Sequence, residues 1–599
     1  MNLTPEEKEV GRGNYFDAIG VRRRDFLKSV AAGGLVSGGG LGAAYFGYST
    51  VDDPVRIGVI GTGDEGSVLI GALNPTYCQV VAISDLREFN IHRAFHGDYA
   101  SPAAMAARPG LMRKYNWSTE AEARQHVKVY KDGYADLLAD PEIEAVIIAV
   151  PLHLHAKVAI DAMLAGKHVL TEKLMAKTVA ECKLMGRVAK EKNLYLATGH
   201  QRHYSVLYDN AVNLIKWGVL GELHHIRAQW HRGNLPGRDS WQMPLPGGEI
   251  PIGGGEGDRF NKIADGIKSL ERQVKAAKDP VARELLEGKL AQYIAWDSDK
   301  NGVLERARQH GFQDFELPKG HSRSALEELC RWRLWERTGG GLMAELGSHQ
   351  MDAAGIFCSA LRQDNKKAQP LSVHAVGGRH IFGEDRQVED HVYCTIEFPA
   401  PGYEDAFDVG YADPGTGVGK AAVPGYINDD NKKIVVTYSS INGNGYGGYG
   451  EVVMGTKGTL ILEREKEVML YKGSSTTTKV GVKEGQGGPT MDTQASGDYG
   501  PVAQAAQATG PVSRGYTEEI EHWAYCIRNP DPENQPRCGP KVALSDAVIA
   551  LTTNVAIRNG AKGDGGYIKF EDSWYDIDRD ETPDGSDLKE TRSRLVGDA

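Results

Sequence analysis

From Val55 onward the apolar positions fall into short runs separated by longer, periodic segments. Val55–Ile60 is a β-branched run of the kind that forms a buried strand. A Gly-rich turn follows, then an apolar helix start over 68–72. Further apolar runs at 79–84, 127–130, 144–150, 168–171 and 195–198 read as strands. Between them lie helical stretches: 88–126 with a proline-containing break, then 134–139, 155–165 and 179–192. The alternation predicts a parallel, doubly wound sheet, an α/β Rossmann domain over 54–200.

After Gly199 the pattern lengthens and alternates. Runs at 223–231, 374–381, 391–398, 433–439 and 459–463 predict a C-terminal α+β domain, 201–575, with a large, mostly antiparallel open sheet. A polar insertion interrupts it at 232–331, and its middle, 259–308, reads as amphipathic helices. Two Gly-rich stretches, 443–450 and 485–510, read as mobile surface segments. Residues 576–599 form a polar tail.

The turn after the first strand carries the first chemical signal. Gly61, Gly63 and Gly66 have GxGxxG spacing, enclosing Thr62, Asp64 and Glu65. The first glycine permits a tight turn, the second lets backbone approach a pyrophosphate, and the third lets helix and strand pack closely. Free N–H groups at the helix start then meet the pyrophosphate. Asp85 follows about 20 residues on, at a strand end, where ribose hydroxyls are held. A carboxylate there favours NAD; Arg87, two residues later, is the group that would receive the 2′-phosphate of NADP.

At 599 residues the chain exceeds one ordinary core, so two domains plus insertions are expected. Lys plus Arg number 69 against 80 Asp plus Glu, a net charge of −11, which leaves no electrostatic footprint for nucleic acid. The seven cysteines form no CxxC pair, so neither a zinc site nor a disulfide framework is expected. No metal-ligand spacing stands out; His224 and His225 are adjacent on a strand and point to opposite faces. Near the N-terminus, Arg22-Arg23-Arg24-Asp25-Phe26-Leu27-Lys28 resembles the twin-arginine export signal. A weakly apolar Gly/Ala-rich stretch, 29–48, follows it, without a clean small-x-small cleavage site. Residues 1–50 are therefore expected to be an address read by the twin-arginine machinery, with a periplasmic or otherwise exported destination. That route carries folded proteins, so a dinucleotide loaded before export would travel as a tightly bound cofactor.

A longer set of motifs resembles the Gfo/Idh/MocA family of oxidoreductases, named for glucose-fructose oxidoreductase, inositol dehydrogenase and rhizopine catabolism. Beside the fingerprint, the matching runs are Asp136-Leu137-Leu138, Ala149-Val150-Pro151 with His155, Ala165-Gly166-Lys167-His168-Val169 and Glu172-Lys173. Farther on come Gly339-Gly340-Gly341 and Gly347-Ser348-His349-Gln350-Met351-Asp352. The resemblance implies that Val150, Pro151, His155 and Glu172 line the dinucleotide. It implies that Lys173 lies beside the nicotinamide and the reacting carbinol, and that His349 is the proton acceptor. Two positions depart from the family pattern. Leu174 stands where proline usually follows the lysine, and Glu345 stands where an aspartate usually precedes the histidine by four residues. On a regular helix Glu345 and His349 share one face. Asp352 is a candidate to fix the imidazole tautomer or to meet the substrate, and Arg202 a candidate substrate contact. Trp332, Arg333 and Trp335 either stack on a sugar or enter a core. The implied activity is hydride transfer between NAD and a secondary alcohol of a sugar, cyclitol or glycoside. A redox-neutral glycoside hydrolase and a non-catalytic sugar-binding homologue are the alternatives. Homo-oligomerisation through the C-terminal sheet is also implied.

Overall fold

The structure, a computed structural model, describes residues 3–19, 45–251, 253–317, 321–362, 364, 366–404, 429–485, 488–492 and 514–597. The twin-arginine run and most of the two segments 29–48 and 485–510 lie outside the described residues.

Six strands make the first sheet: β1 Val55–Ile60, β2 Cys78–Ser84, β3 Lys128–Tyr130, β4 Ala145–Ile148, β5 His168–Thr171 and β6 Leu196–Thr198. Their order is β3-β2-β1-β4-β5-β6 and every pairing is parallel, which is the doubly wound arrangement expected. Strand periodicity divides their side chains between two cores. Ile57, Val59 and Ile147 pack with Leu69 and Ile70 of the helix Asp64–Ala72. Val146, Ile148 and Val169 face the helices His155–Leu164 and Val179–Lys192. The first core is completed from far along the chain, because the helix Tyr516–Arg528 places Ile520, Trp523 and Ala524 in it. The segment 88–126 is four short helices, Glu88–His96, Pro102–Ala107, Gly110–Tyr115 and Glu120–His126. Gly97 and Gly110, both at positive φ and in close approach to each other's loops, and prolines 102 and 109 set the breaks.

The second sheet has eight strands in the order β15-β14-β13-β7-β12-β11-β10-β18. They are β7 Leu223–His231, β10 Ser372–Gly378, β11 His391–Pro399, β12 Lys433–Ile441, β13 Tyr449–Gly455, β14 Gly458–Glu463, β15 Glu467–Lys472 and β18 Tyr567–Lys569. Only β7 and β12 pair in parallel; the other pairings are antiparallel. Two short hairpins stand apart from it, β8 Phe315–Leu317 with β9 His321–Arg323 and β16 Gly481–Gly485 with β17 Gly488–Asp492. One face of the large sheet packs on the helices Ser348–Ser359 and Pro540–Lys562 through Ile226, Val392, Ile396 and Val436. Pro540–Lys562 is long and apolar enough to cross a membrane, and most of it is buried as a core helix.

Several expectations are corrected. The strand expected over 374–381 ends at Gly378, because the N–H groups of His380, Ile381 and Phe382 turn to the buried Asp390 carboxylate at 2.8, 3.0 and 2.9 Å. The Gly/Tyr stretch 443–450 is no free loop: Gly443 donates to the Asn234 carbonyl at 2.7 Å and Tyr449 begins β13, stacked on Trp230 at 4.3 Å. Residues 3–19, expected to belong to an address, are folded onto the second sheet. Thr4 caps a helix Pro5–Ala18 in a capping box with Glu7, and that helix lies across β15. Lys8 pairs with Glu463 at 2.5 Å and Arg12 with Glu467 at 2.8 Å, while Asn14 donates to the Leu470 carbonyl. The polar tail also folds back: the helix Leu588–Leu595 buries Leu588 and Leu595, and Arg594 pairs with Glu181. All seven cysteines are free thiols.

Candidate dinucleotide and substrate site

A cavity of about 690 Å³ opens between the two sheets, within the size range of ligand sites. One end is the fingerprint turn. Gly61 has φ +86°, and a Cβ on it would stand 2.3 Å from the Ala149 carbonyl oxygen. A Cβ on Gly66 would stand 2.0 Å from the Gly61 carbonyl oxygen, so helix and strand could not close. A Cβ on Gly63 would meet only Asn90, at 3.8 Å, so the space before it is free for a pyrophosphate. The three glycines thus do the three jobs their spacing implies.

Asp85 lines the same end. Its carboxylate accepts the backbone N–H of Thr62 at 2.8 Å, that of Arg87 at 2.9 Å and the Asn90 amide. Thr62 is therefore corrected from a direct cofactor contact to a buried brace for Asp85. Arg87 lines the same end. Its Nε donates to Asp299 of the insertion at 2.8 Å, and Asp299 also accepts the Phe89 N–H. Asp85 thus stands at the strand end where a ribose hydroxyl would be held. Asp64 pairs with Arg93 at 2.6 Å.

The helices expected within the insertion are Lys262–Ala276, Pro280–Ser298 and Val303–Gln309. They dock on the Rossmann domain beside Asp85. Trp296 stacks on Phe89 with centroids 4.8 Å apart, Gln292 accepts the Tyr99 N–H, and His310 hydrogen-bonds the Asp132 carbonyl. Trp296, His310 and Phe312 line the cavity.

The other end gathers side chains from distant segments. Lys173 follows β5, and the Lys173–Leu174 peptide bond is cis. Lys173 Nζ donates to the Glu345 carbonyl at 2.8 Å. His155 is buried, one ring nitrogen 2.8 Å from the Leu174 carbonyl and the other 2.9 Å from that of Val150, so it braces both cavity walls. Glu345 lies in a π-helical turn, Met343–Gly347, and His349 in the first turn of the following α-helix. The expected single α-helical face is thus a junction of two helix types, a form common at functional sites. Both side chains still line the cavity.

Electrostatics sort the titratable groups. Burial pushes the Glu345 carboxyl up, but Lys173 and Arg333 outweigh it and hold it below the usual range. Arg333 Nε donates to Glu345 at 2.8 Å and its guanidinium lies over Trp332. Burial, then Lys173, Arg202 and His200, drive the His349 imidazole well below its usual value. The ring is therefore neutral near pH 7, rather than titrating there as its intrinsic pKa suggests. Burial, with Glu65 next, pushes Glu172 up to about 8.

Two expected residues are not in the site. Arg202 is fully buried, paired with Glu451 at 3.1 Å and Glu465 at 2.8 Å, and its Nη1 donates to the His349 carbonyl. It anchors the helix Ser348–Ser359 from behind. Asp352 is also enclosed and pairs with His203 at 2.8 Å and Lys367 at 2.8 Å. His349 Nδ1 is buried without a partner among the described residues, so Asp352 does not set the tautomer. Trp332 and Arg333 line the cavity, whereas Trp335 is core. The sequence reading missed Trp230, Arg232 and Trp241, which wall the substrate end. Trp230 packs 5.6 Å from the His349 ring. Their one sequence signal is the aromatic-basic run at the end of β7, Trp230-His231-Arg232.

Fold and site together define a Rossmann dinucleotide-binding domain whose glycine turn opens on a cavity walled by side chains of the second domain. Residues 55–200 match the family described as "Oxidoreductase family, NAD-binding Rossmann fold", GFO_IDH_MocA. An uncharacterised oxidoreductase of Schizosaccharomyces pombe is 38% identical over 134 residues, 22% of this chain and 36% of that protein. A levoglucosan dehydrogenase of Pseudarthrobacter phenanthrenivorans is 34% identical over 115 residues, 19% of this chain and 29% of that protein. The chain thus spans about a third of the length of these relatives. Among solved structures, an aldose-aldose oxidoreductase from Caulobacter crescentus is similar over 86% of this chain and 100% of that one, at 15% identity and a TM-score of 0.44.

Proposed function

We propose that the chain is an exported oxidoreductase that moves a hydride between a retained NAD and a secondary alcohol of a sugar or cyclitol. The observation that carries this reading is the meeting of Lys173, Glu345 and His349 at one end of a cavity whose other end is the glycine fingerprint. NAD, when bound, supplies the hydride acceptor or donor. The neutral His349 imidazole accepts the carbinol proton as the alcohol is oxidised. Lys173 Nζ, fixed by the Glu345 carbonyl, donates to the developing carbonyl oxygen. Arg333 holds one Glu345 oxygen and leaves the other to accept from a neighbouring hydroxyl. Trp230 and Trp241 supply flat apolar walls for a sugar ring.

Retention of the cofactor is supported by the insertion, whose Trp296 and Asp299 close over the ribose end. Export is supported by Arg22-Arg23-Arg24 and the residues after them. Purified holoenzyme should release NAD only on denaturation, and its bound cofactor should change absorbance when single sugars are added. No such change with any carbohydrate overturns the reading. Arg23→Lys with Arg24→Lys should trap the protein in the cytoplasmic fraction. A second copy is proposed to dock on the outer face of β10 and β11, where Val376 and Tyr393 are exposed. Tyr393→Glu should then lower the mass measured by light scattering.

A further inference from the structure

Six arginines line the cavity: Arg87, Arg93, Arg232, Arg331, Arg333 and Arg514. Five are neutralised by carboxylates of this chain. Arg87 pairs with Asp299, Arg93 with Asp64, Arg331 with Glu327 and Glu249, Arg333 with Glu345, and Arg514 with Glu465. The Arg232 guanidinium has no carboxylate partner among the described residues; only its backbone N–H is engaged, by the Ile441 carbonyl at 2.8 Å.

Arg232 is nonetheless placed. Its guanidinium lies 5.8 Å from the Trp230 ring centroid and 6.0 Å from that of Trp241, so two indoles steer it. Trp230 in turn packs on His349. Arg232 therefore stands one indole away from the proton acceptor, on the wall formed by the end of β7. Burial, then the nearby Arg333, weaken its hold on its proton, and outweigh Glu345 and Asp239, which lie close by but are paired with Arg333 and Arg386. A partly enclosed cation without a partner is costly, and an anionic ligand removes that cost.

We infer that Arg232 binds a carboxylate of the substrate, so that the substrate class is a sugar or cyclitol acid, of which a uronate is the simplest form. The inference rests on the oxidoreductase reading for the identity of the ligand as a sugar. It does not rest on it for the anion. The cofactor pyrophosphate is accounted for at the opposite end, before Gly63. A phosphate dianion calls for a second cation, and the neighbouring Arg333 is already committed to Glu345. A single planar fork matches the two oxygens of a carboxylate.

The test uses holoenzyme and matched pairs: D-glucose with D-glucuronate, D-galactose with D-galacturonate, and D-glucose 6-phosphate as a second anion. Calorimetry reads binding, and cofactor absorbance reads turnover. At least one uronate should bind about tenfold or more tighter than its neutral partner, a difference typical of one charge-assisted contact. Arg232→Gln should erase that preference, bringing the uronate's affinity down to that of its neutral partner. Arg232→Lys, which keeps the charge without the fork, should restore part of it. Bound NAD and melting temperature serve as folding controls, and Arg232→Lys carries the test if the glutamine variant does not fold. The inference is overturned if no uronate outbinds its neutral partner, if Arg232→Gln weakens both alike, or if the phosphate outbinds the uronate. Arg232-dependent uronate binding without any cofactor reduction would instead overturn the oxidoreductase reading and leave this one standing. Reduction by neutral sugars with no uronate binding would do the reverse.

Discussion

The two ends of the cavity are made in different ways. The cofactor end is backbone: Gly61, Gly63 and Gly66 lie within one turn, and their function is the absence of a Cβ. The substrate end is side chains. Lys173 follows β5, Trp230 lies in β7 and Arg232 just after it, Arg333 in a short 3-10 turn, Glu345 in a π turn and His349 in the helix after it. A backbone site is local and tolerates nothing added. A side-chain site is non-local, and each member depends on a brace that lies outside it, as His349 does on Arg202. Substitutions at the two ends should therefore separate NAD retention from turnover.

The largest effect is expected at His349. His349→Ala should lower kcat/KM about 1,000-fold, in the range for loss of a general base, with bound NAD unchanged. Steady-state rates with a cofactor-content assay check it, and loss of NAD in parallel would break the comparison. Next come two glycine variants that sharpen the cofactor end. Gly66→Ala forces a Cβ to 2.0 Å from the Gly61 carbonyl, so the protein should fold poorly and carry no NAD. Gly63→Ala meets only Asn90 at 3.8 Å, so it should fold with a near-native melting temperature yet lose NAD. Equal thermal stability for the two would sink that distinction.

The same contrast explains what the sequence revealed. Local spacing made the glycines and Asp85 legible, and the family resemblance made Lys173 and His349 legible. Arg202 and Asp352 were assigned to the substrate because a polar residue near a motif looks the same whether it meets solvent or a buried partner. Their partners, Glu451 and Glu465, or His203 and Lys367, lie far from the motif or on another element. Thr62 was read as a contact for a similar reason. The helix Pro5–Ala18 did leave a signal, since Thr4-Pro5-Glu6-Glu7 is a capping box with proline at the first helical position. The run Arg22-Arg23-Arg24 downstream, which resembles an export signal, masks that helix signal. The π turn at Glu345 has no periodicity signature, because five residues cannot reveal a changed hydrogen-bond pattern.

Glu345 tests that turn. Glu345→Asp restores the residue type usual in the family, but withdraws the carboxylate by about 1 Å, one C–C bond's reach. Arg333 Nε, now at 2.8 Å, would lose its partner. A fall in kcat of about 10- to 100-fold is expected, with NAD content intact. A gain in kcat would mean that the π turn does not position the glutamate.

The smallest effect on turnover lies where the two ends touch. Glu172 sits between Glu65 of the fingerprint and Lys173 of the substrate end, and one of its oxygens is buried without a partner. Burial first, and Glu65 second, push its carboxyl up to about 8. Between the ordinary value of 4.5 and about 8, the unfolded chain releases this proton while the folded chain keeps it. Stability from this group therefore falls as pH rises through that window, and below it the group contributes no slope. Glu172→Gln removes the titration. Relative to the parent, the variant should gain up to about 5 kcal/mol between the acid and alkaline sides of the window, read from denaturant midpoints at several pH values. Its kcat should change less than that of Glu345→Asp, because Glu172 acts on the electrostatics shared by both ends and not on the transferred proton. A pH slope identical to the parent's would mean that the proton shared at this junction is held elsewhere, and the boundary between the two ends would have to be redrawn around Glu65.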